Sequence, residues 1–199
     1  MNKGKQNVAR GLFIDPAIGD LGWVVMAMDL DTLKVVVENM GMFSSSAVAK
    51  KVAYKDDVIK YGPRMVALEL LRTFLANLID KYHPEFVASE AAYLDPRKVN
   101  AFISLTQVLL AIRLLLFHNY QRTLHLVATK TAKHAITGYG ASSKTDIQTT
   151  IFTHEDISFK NPEEAKTMTK HVSDAIAVGY SFFRDTYPNL NIQTAFAAA

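Results

Sequence analysis

Three carboxylates and a histidine stand where this sequence could bring them together. Asp15 closes a short apolar run, residues 11–15, and Pro16 follows at once; Glu90 closes another, residues 85–90, around Phe86-Val87-Ala88. Both runs have the length and apolar bias of buried strands. In open α/β sheets ligands bind in the crevice beyond the carboxyl ends of the strands, so acids that end neighbouring strands would face one crevice. His171 and Asp174 lie three apart in a stretch that reads as a helix, which places them on one face. The small or apolar Ala175, Ile176, Val178 and Gly179 that follow suit a helix laid on a sheet. Two carboxylates about 4 Å apart repel by roughly 4 kcal/mol at an effective dielectric of 20. A crevice holding three is tolerable when they are protonated or bound to cations. Oxygen donors select hard ions, and Mg²⁺ takes one or two carboxylates plus phosphate oxygens. Two such ions can activate water and stabilise the leaving oxygen of a phosphodiester. Singly, an aspartate after a strand such as Asp15 is more often a turn residue or cap, Glu90 reads as surface charge and Asp174 as helix-surface decoration; the set is what points to metal-assisted hydrolysis.

The elements that must position these groups read in the order β-β-β-α-β-α-β-α-α-α. Strands are expected at residues 11–15, 23–30 and 34–43, the last two joined by a turn at Asp31-Thr32-Leu33. Residues 44–63 read as a polar loop holding at most a short helix. Leu68, Leu71, Phe74, Leu75, Leu78 and Ile79 recur at helical spacing over residues 64–82, and His83-Pro84 ends that helix. A strand at 85–90, a long helix at 96–118 and a strand at 124–128 follow. A short helix then ends near Gly138, and Ser143 with Asp146 resembles a capping box for the next. Residues 155–169 read as a polar loop and 171–187 as a final helix. Three hairpin strands followed by two βα crossovers predict an α/β fold, a five-stranded mixed sheet with helices on both faces, in ribonuclease-H-like order.

Composition narrows the classes. The chain has 199 residues, 49% hydrophobic and 21% charged, which suits a single globular domain over residues 1–199. The absence of cysteine excludes disulfides, zinc–thiolate sites, iron–sulfur clusters and a thiol nucleophile. The net charge of +3 permits a nucleic-acid partner without requiring one. Its distribution is uneven: Lys3, Lys5 and Arg10 crowd the start, Lys50, Lys51, Lys55, Lys60 and Arg64 a second stretch, and Arg97, Lys98, Lys130, Lys133 and Lys144 follow. No signal peptide is visible, and residues 101–120, the most apolar stretch, carry Gln107 and Arg113 and read as a buried helix in preference to a membrane span. A cytoplasmic protein with no membrane partner is expected. Ala197-Ala198-Ala199 reads as a frayed end.

At this point the chain resembles the RuvC-type Holliday junction resolvases, over roughly residues 11–184. Phe13-Ile14-Asp15-Pro16 with Gly22-Trp23 is similar to the family's opening strand, acid, proline and glycine–aromatic pair. The run from Phe86 through Glu90 to Tyr93 resembles the second acidic motif, with an aromatic three residues after the glutamate. Lys133 to Gly138, then Ser142-Ser143-Lys144, resembles the two-lysine segment, and His171 to Val178 the closing metal motif. Ala17 stands where the family usually has glycine, His171 where many members have aspartate, and residues 44–63 and 155–169 match poorly, as in a divergent or phage-type member.

The resemblance implies a metal-dependent, structure-selective endodeoxyribonuclease that resolves four-way junctions by paired symmetric nicks, leaving 5′-phosphate ends. It implies Asp15, Glu90, His171 and Asp174 as ligands of Mg²⁺ or Mn²⁺, two ions per site, with Lys133 contributing to catalysis. It also implies Tyr93, Arg97, Lys98, Lys133, Ser143 and Lys144 as DNA contacts, Tyr93 stacking on a base at the branch point. Two nicks on opposed strands imply a homodimer, with the leucine-rich helix at 101–118 serving both core and seam. The alternatives are another ribonuclease-H-like nuclease, cutting flaps, forks or RNA–DNA hybrids, and a non-catalytic junction-binding module. An actin-like nucleotide-binding fold is disfavoured by length and by the lack of a glycine-rich phosphate loop.

Overall fold

The computed structural model describes residues 7–187. Lys3, Lys5 and the closing alanines lie outside the described residues. Strands β1 (Val8–Asp15), β2 (Asp20–Asp29) and β3 (Val35–Ser44) form an antiparallel meander. β4 (Phe86–Glu90) lies parallel to β1, and β5 (His125–Val127) parallel to β4. Side chains alternate across the sheet as the two-residue strand period requires. Phe13 and Ala88 belong to one core, and Leu12, Ile14 and Val87 to the other.

The sheet has six strands, in the order β5-β4-β1-β2-β3-β6, not the five expected. The additional strand, β6 (Ile157–Phe159), pairs in parallel with the outer edge of β3. Three residues flanked by acidic and basic neighbours carry no readable periodicity. Their strand state comes from β3, through the Val35 N–H to the Asp156 carbonyl at 2.8 Å and the Lys160 N–H to the Val37 carbonyl at 2.9 Å. The segment 155–169, expected as loop, also contains the short helix α7 (Pro162–Ala165).

Helices cover both faces. On one, Leu71, Leu75, Leu78 and Ile79 of α3 (Pro63–Tyr82) and Val108, Ile112 and Leu115 of α4 (Val99–Leu115) bury Leu12, Ile14, Leu21 and Val25. On the other, α5 (Thr129–Thr137), α6 (Lys144–Thr153) and α8 (Lys170–Thr186) enclose Phe13, Val24 and Met26. α8 is buried along nearly its whole length. Gly179 makes that possible, because a methyl group there would lie 2.5 Å from Met26 Sδ and 2.6 Å from Phe13. Residues 44–63, expected as loop with at most a short helix, hold two α-helices, α1 (Ser45–Ala49) and α2 (Lys55–Tyr61), with a 3₁₀ turn at Val52–Tyr54 between them.

The long apolar helix is not buried all round. The stretch Pro96–Tyr120 is long and apolar enough to cross a membrane, yet only 28% of its most apolar window is buried. Val108, Ile112 and Leu115 face the sheet, while Val99, Ile103, Leu110, Leu114 and Phe117 are exposed. A one-sided helix needs only its inward stripe apolar; this one carries a second.

Candidate active site

β1 and β4 bring the first two acids together. Ile14 is level with Ser89 in the parallel register, so the next step sets Asp15 beside Glu90, both pointing to the α8 side with Phe13 and Ala88. α8 supplies the other two. The Thr169 hydroxyl accepts the Val172 N–H and starts the helix, so that His171 and Asp174 fall on its sheet-facing first turn. His171 Nδ1 lies 2.6 Å from Asp15 Oδ2, and Asp15 is only 8% exposed. Lys144, the first residue of α6, places Nζ 2.6 Å from Asp174 Oδ2. The Thr129 hydroxyl, at the start of α5, donates to Glu90. All four sequence-nominated acid and imidazole groups thus meet at the carboxyl end of the sheet.

The charges in this crevice oppose their own ionisation. Burial, with Asp15 and Asp174 close by, pushes the Glu90 carboxyl up to about 7 against the opposing bond from Thr129. Burial likewise raises Asp174, although Lys144 and Lys133 act against the shift. The hydrogen bond to Asp15 raises His171. Burial pulls the Lys144 ammonium down, but Asp174, Asp15 and Glu90 together outweigh it and leave it raised. Among the described residues no three acids or histidines form a closed metal-ligating group; the carboxylates turn instead to Lys144, His171 and Thr129. Carboxylate oxygens with one imidazole fit a hard divalent ion, and the Lys144 ammonium, 2.6 Å from Asp174, is the positive charge the pocket holds here.

The remaining nominated residues lie around this centre. Tyr93, 72% exposed, and Lys133 line one cleft of about 450 Å³, with Ala91, Ala92, Ala128, Thr129, Lys130 and Gly140. The Lys133 ammonium donates to the Ser142 carbonyl at 2.8 Å. Arg97 is exposed but folds back on Asp95 at 3.1 Å, and Lys98 is exposed beside it. Ser143 and Asp146 form the capping box: the Ser143 N–H donates to Asp146 at 2.9 Å and its hydroxyl accepts the Asp146 N–H at 3.2 Å. That box occupies the Ser143 N–H with a carboxylate, so the N–H is not open to a phosphate.

Two positions emerge only here. The sequence offers Thr129 or Thr131 as the cap of the short helix; in the structure Ala128 is the cap and Thr129 the first helical residue, and its bond to Glu90 depends on β5 delivering it beside β4. Gly22 is opposite Asp15 across β1 and β2 and lies against the His171 backbone. Its place in a glycine–aromatic pair was the available signal.

A model of the family described as "Crossover junction endodeoxyribonuclease RuvC" matches residues 35–181. Curated proteins of that name from Rickettsia bellii and Rickettsia akari are 26% and 27% identical over 170 residues, covering 85% of this chain and 94% of theirs. Among solved structures, Thermus thermophilus RuvC in complex with Holliday junction substrate superposes with a TM-score of 0.68 at 16% identity, over 92% of this chain and 97% of that one. The yeast mitochondrial Holliday junction resolvase superposes with a TM-score of 0.62 at 16% identity, over 94% of this chain and 82% of that one. At such identities these structures share a fold with this chain.

Proposed function

The chain belongs to the RuvC family of crossover junction endodeoxyribonucleases, and from that premise we propose that it is a cytoplasmic, divalent-metal-dependent nuclease that resolves four-way DNA junctions. The reading includes paired symmetric nicks, 5′-phosphate ends and a homodimer. The observation that carries it is the meeting of Asp15, Glu90, His171 and Asp174 at one end of the sheet, with Lys133 and Lys144 alongside. A bare junction-binding module has no use for carboxylates held in a pocket that raises two of them.

Asp15, Glu90, Asp174 and His171 would hold Mg²⁺ or Mn²⁺, two ions per site, with Asp15 on an inner strand beside Glu90. When bound, such ions lower the pKa of water and neutralise charge on the scissile phosphate. With Nδ1 engaged by Asp15, His171 has Nε2 for one of two tasks: to ligate an ion, or, as the neutral imidazole, to orient the attacking water and take its proton. Lys144 leaves Asp174 for the phosphate, and Lys133 supplies a second positive charge to the developing phosphorane. Tyr93 stacks on a base at the branch point, worth ~1–3 kcal/mol towards unpairing. Arg97 and Lys98 steady the arms. The exposed stripe of α4, with Leu110 and Leu114, is the seam of the dimer, which brings two sites to opposed strands.

The test is cleavage of a labelled four-way junction, a flap, a replication fork and an RNA–DNA hybrid with Mg²⁺, Mn²⁺ or chelator. The expected result is symmetric cuts confined to the junction and abolished by chelation. Asp15→Asn is expected to remove cleavage while leaving junction affinity within a few-fold. Preference for the flap or hybrid would reassign the substrate.

A further inference from the structure

We propose that residues 50–64, between β3 and α3, form a second nucleic-acid surface that grips a duplex arm of the junction away from the cleaved strand. The inference rests on the junction-nuclease reading above. The segment carries Lys50, Lys51, Lys55, Lys60 and Arg64 against Asp56 and Asp57. Its removal would leave basic and acidic residues equal in number, so the whole formal charge of +3 resides here.

All five basic side chains are exposed, and among the described residues none makes an ion pair. That sets them apart from Arg10, Arg72, Arg97, Lys144, Lys166 and Arg184, each bonded to a carboxylate. Tyr61, 56% exposed, lies among them with Lys60 Nζ 4.8 Å from its ring centre. Unpaired charge interleaved with exposed aromatic surface is poor at packing a core and suited to a polyanion.

The fold puts the segment at the reactive end of the sheet. β3 ends at Ser44, opposite Asp20, beside the loop that follows Asp15. The Ser45 hydroxyl donates to the Ile18 carbonyl in that loop. α3 ends at the opposite end of the strands, where the Glu85 N–H donates to the Arg10 carbonyl. With 20 residues it spans about 30 Å, enough to return from there past the roughly 17 Å of strand between Arg10 and Asp15. Arg64 Nη2 reaches Ser104 Oγ at 2.8 Å, tying the start of α3 to the first turns of α4 beyond Arg97 and Lys98. Lys130, Lys133 and Lys144 stand on the α5–α6 side of the carboxylates, and this segment on the α3–α4 side. A strand cut at the carboxylates belongs to a junction whose next arm leaves over one side or the other, and the unpaired lysines give that arm a seat.

The test compares the full chain with a variant in which Lys50, Lys51, Lys55 and Lys60 are all replaced by Gln. Junction binding is followed by anisotropy without divalent ions, across a salt series, with arms of about 8 or about 20 base pairs. Each phosphate contact adds about 0.9 to the slope of log affinity against log salt. The expected result is at least tenfold weaker binding to the long-armed junction and a slope shallower by about 3, with a much smaller loss on short arms. The Arg replacement of the same four lysines retains both affinity and slope, and Lys81→Gln, at the far end of α3, changes neither. Single-turnover cut positions at saturating protein stay the same in all variants. An unchanged slope, an equal loss on both arm lengths, or loss in the Arg variant would overturn the proposal while the parent still binds and cuts. Failure of the parent itself to prefer junctions over plain duplex would overturn the underlying reading instead.

Discussion

Gly22 on β2 lies so close to the start of α8 that a methyl group on it would come within 2.8 Å of His171 Cβ, and nearer still to the His171 carbonyl. Gly22 is also the cross-strand partner of Asp15. One glycine therefore sets the gap across which His171 Nδ1 meets Asp15 at 2.6 Å. Gly22→Ala is expected to push the first turn of α8 off the sheet. Overpacking of this kind costs about 1–3 kcal/mol. Misplacement by about 1 Å at a reacting centre costs on the order of a hundredfold in rate. Thermal denaturation beside junction cleavage checks this, the expected outcome being a folded protein with cleavage reduced far more than stability.

The parts of this site that were legible in the sequence are those with local signatures. Asp15 and Glu90 each end an apolar strand, and His171 with Asp174 shares a helical spacing. Ser143 and Asp146 announce their capping box. What escaped depends on partners far along the chain. β6 is a strand only because β3 leaves an edge open to it. Thr129 finds Glu90 only through the β4–β5 pairing. The outer apolar stripe of α4 was legible as excess leucine, but which leucines stay exposed was fixed by the packing of α3.

Stability of the ion-free protein is expected to fall as pH rises through neutrality. Burial, with Asp15 and Asp174 adjacent, lifts Glu90 from 4.5 to about 7. The folded state then holds this proton more tightly than the unfolded chain, so stability declines between about 4.5 and about 7, by on the order of 3 kcal/mol at full ionisation. His171, raised by its bond to Asp15, acts in the same direction. Its contribution is complete below 6.5 and is lost as pH passes its folded value. Urea denaturation from pH 5 to 8 in chelator checks the slope. Glu90→Gln should flatten it, and Mg²⁺ should restore stability most at the alkaline end, where the carboxylate is free to ligate.

Lys144 bonds the same Asp174 that a divalent ion would claim. Its ammonium also lowers the negative potential at Asp15 and Glu90. Lys144→Met is therefore expected to tighten Mn²⁺ binding to the DNA-free protein several-fold, measured calorimetrically, while cleavage of the junction falls. Weaker Mn²⁺ binding in the variant would mean that the lysine supports the ion site and does not compete with it.

Tyr93 stands 72% exposed on the rim of the cleft it shares with Lys133. If it holds the branch point open, Tyr93→Ala should slow cleavage of an intact junction about tenfold or more, since a stacked base contributes ~1–3 kcal/mol. A junction with unpaired bases already at its centre should be cut at nearly the parent rate. Equal losses on the two substrates would remove the stacking role.

The outer face of α4 and of the helical turn that continues it to Tyr120 carries Ile103, Leu110, Leu114 and Phe117 to solvent, with 67% of Phe117 exposed. Between α3 and α4 the same face opens a groove of about 390 Å³, lined by Met65, Leu68, Leu110, Ala111 and Leu114 and rimmed by Arg64, Glu69 and Arg72. An apolar centre inside a charged rim is the pattern of a stable protein interface, and a two-fold partner would meet it with the same stripe. Charge placed at the centre of a two-fold seam is doubled and faces itself. Leu110→Glu with Leu114→Glu should therefore convert a species of twice the chain mass into one of single mass by light scattering, with the fold unchanged by circular dichroism because both side chains already face water. The monomer should lose paired cutting of one junction and keep at most uncoupled single nicks. Unchanged mass in that double variant would move the seam elsewhere on the surface.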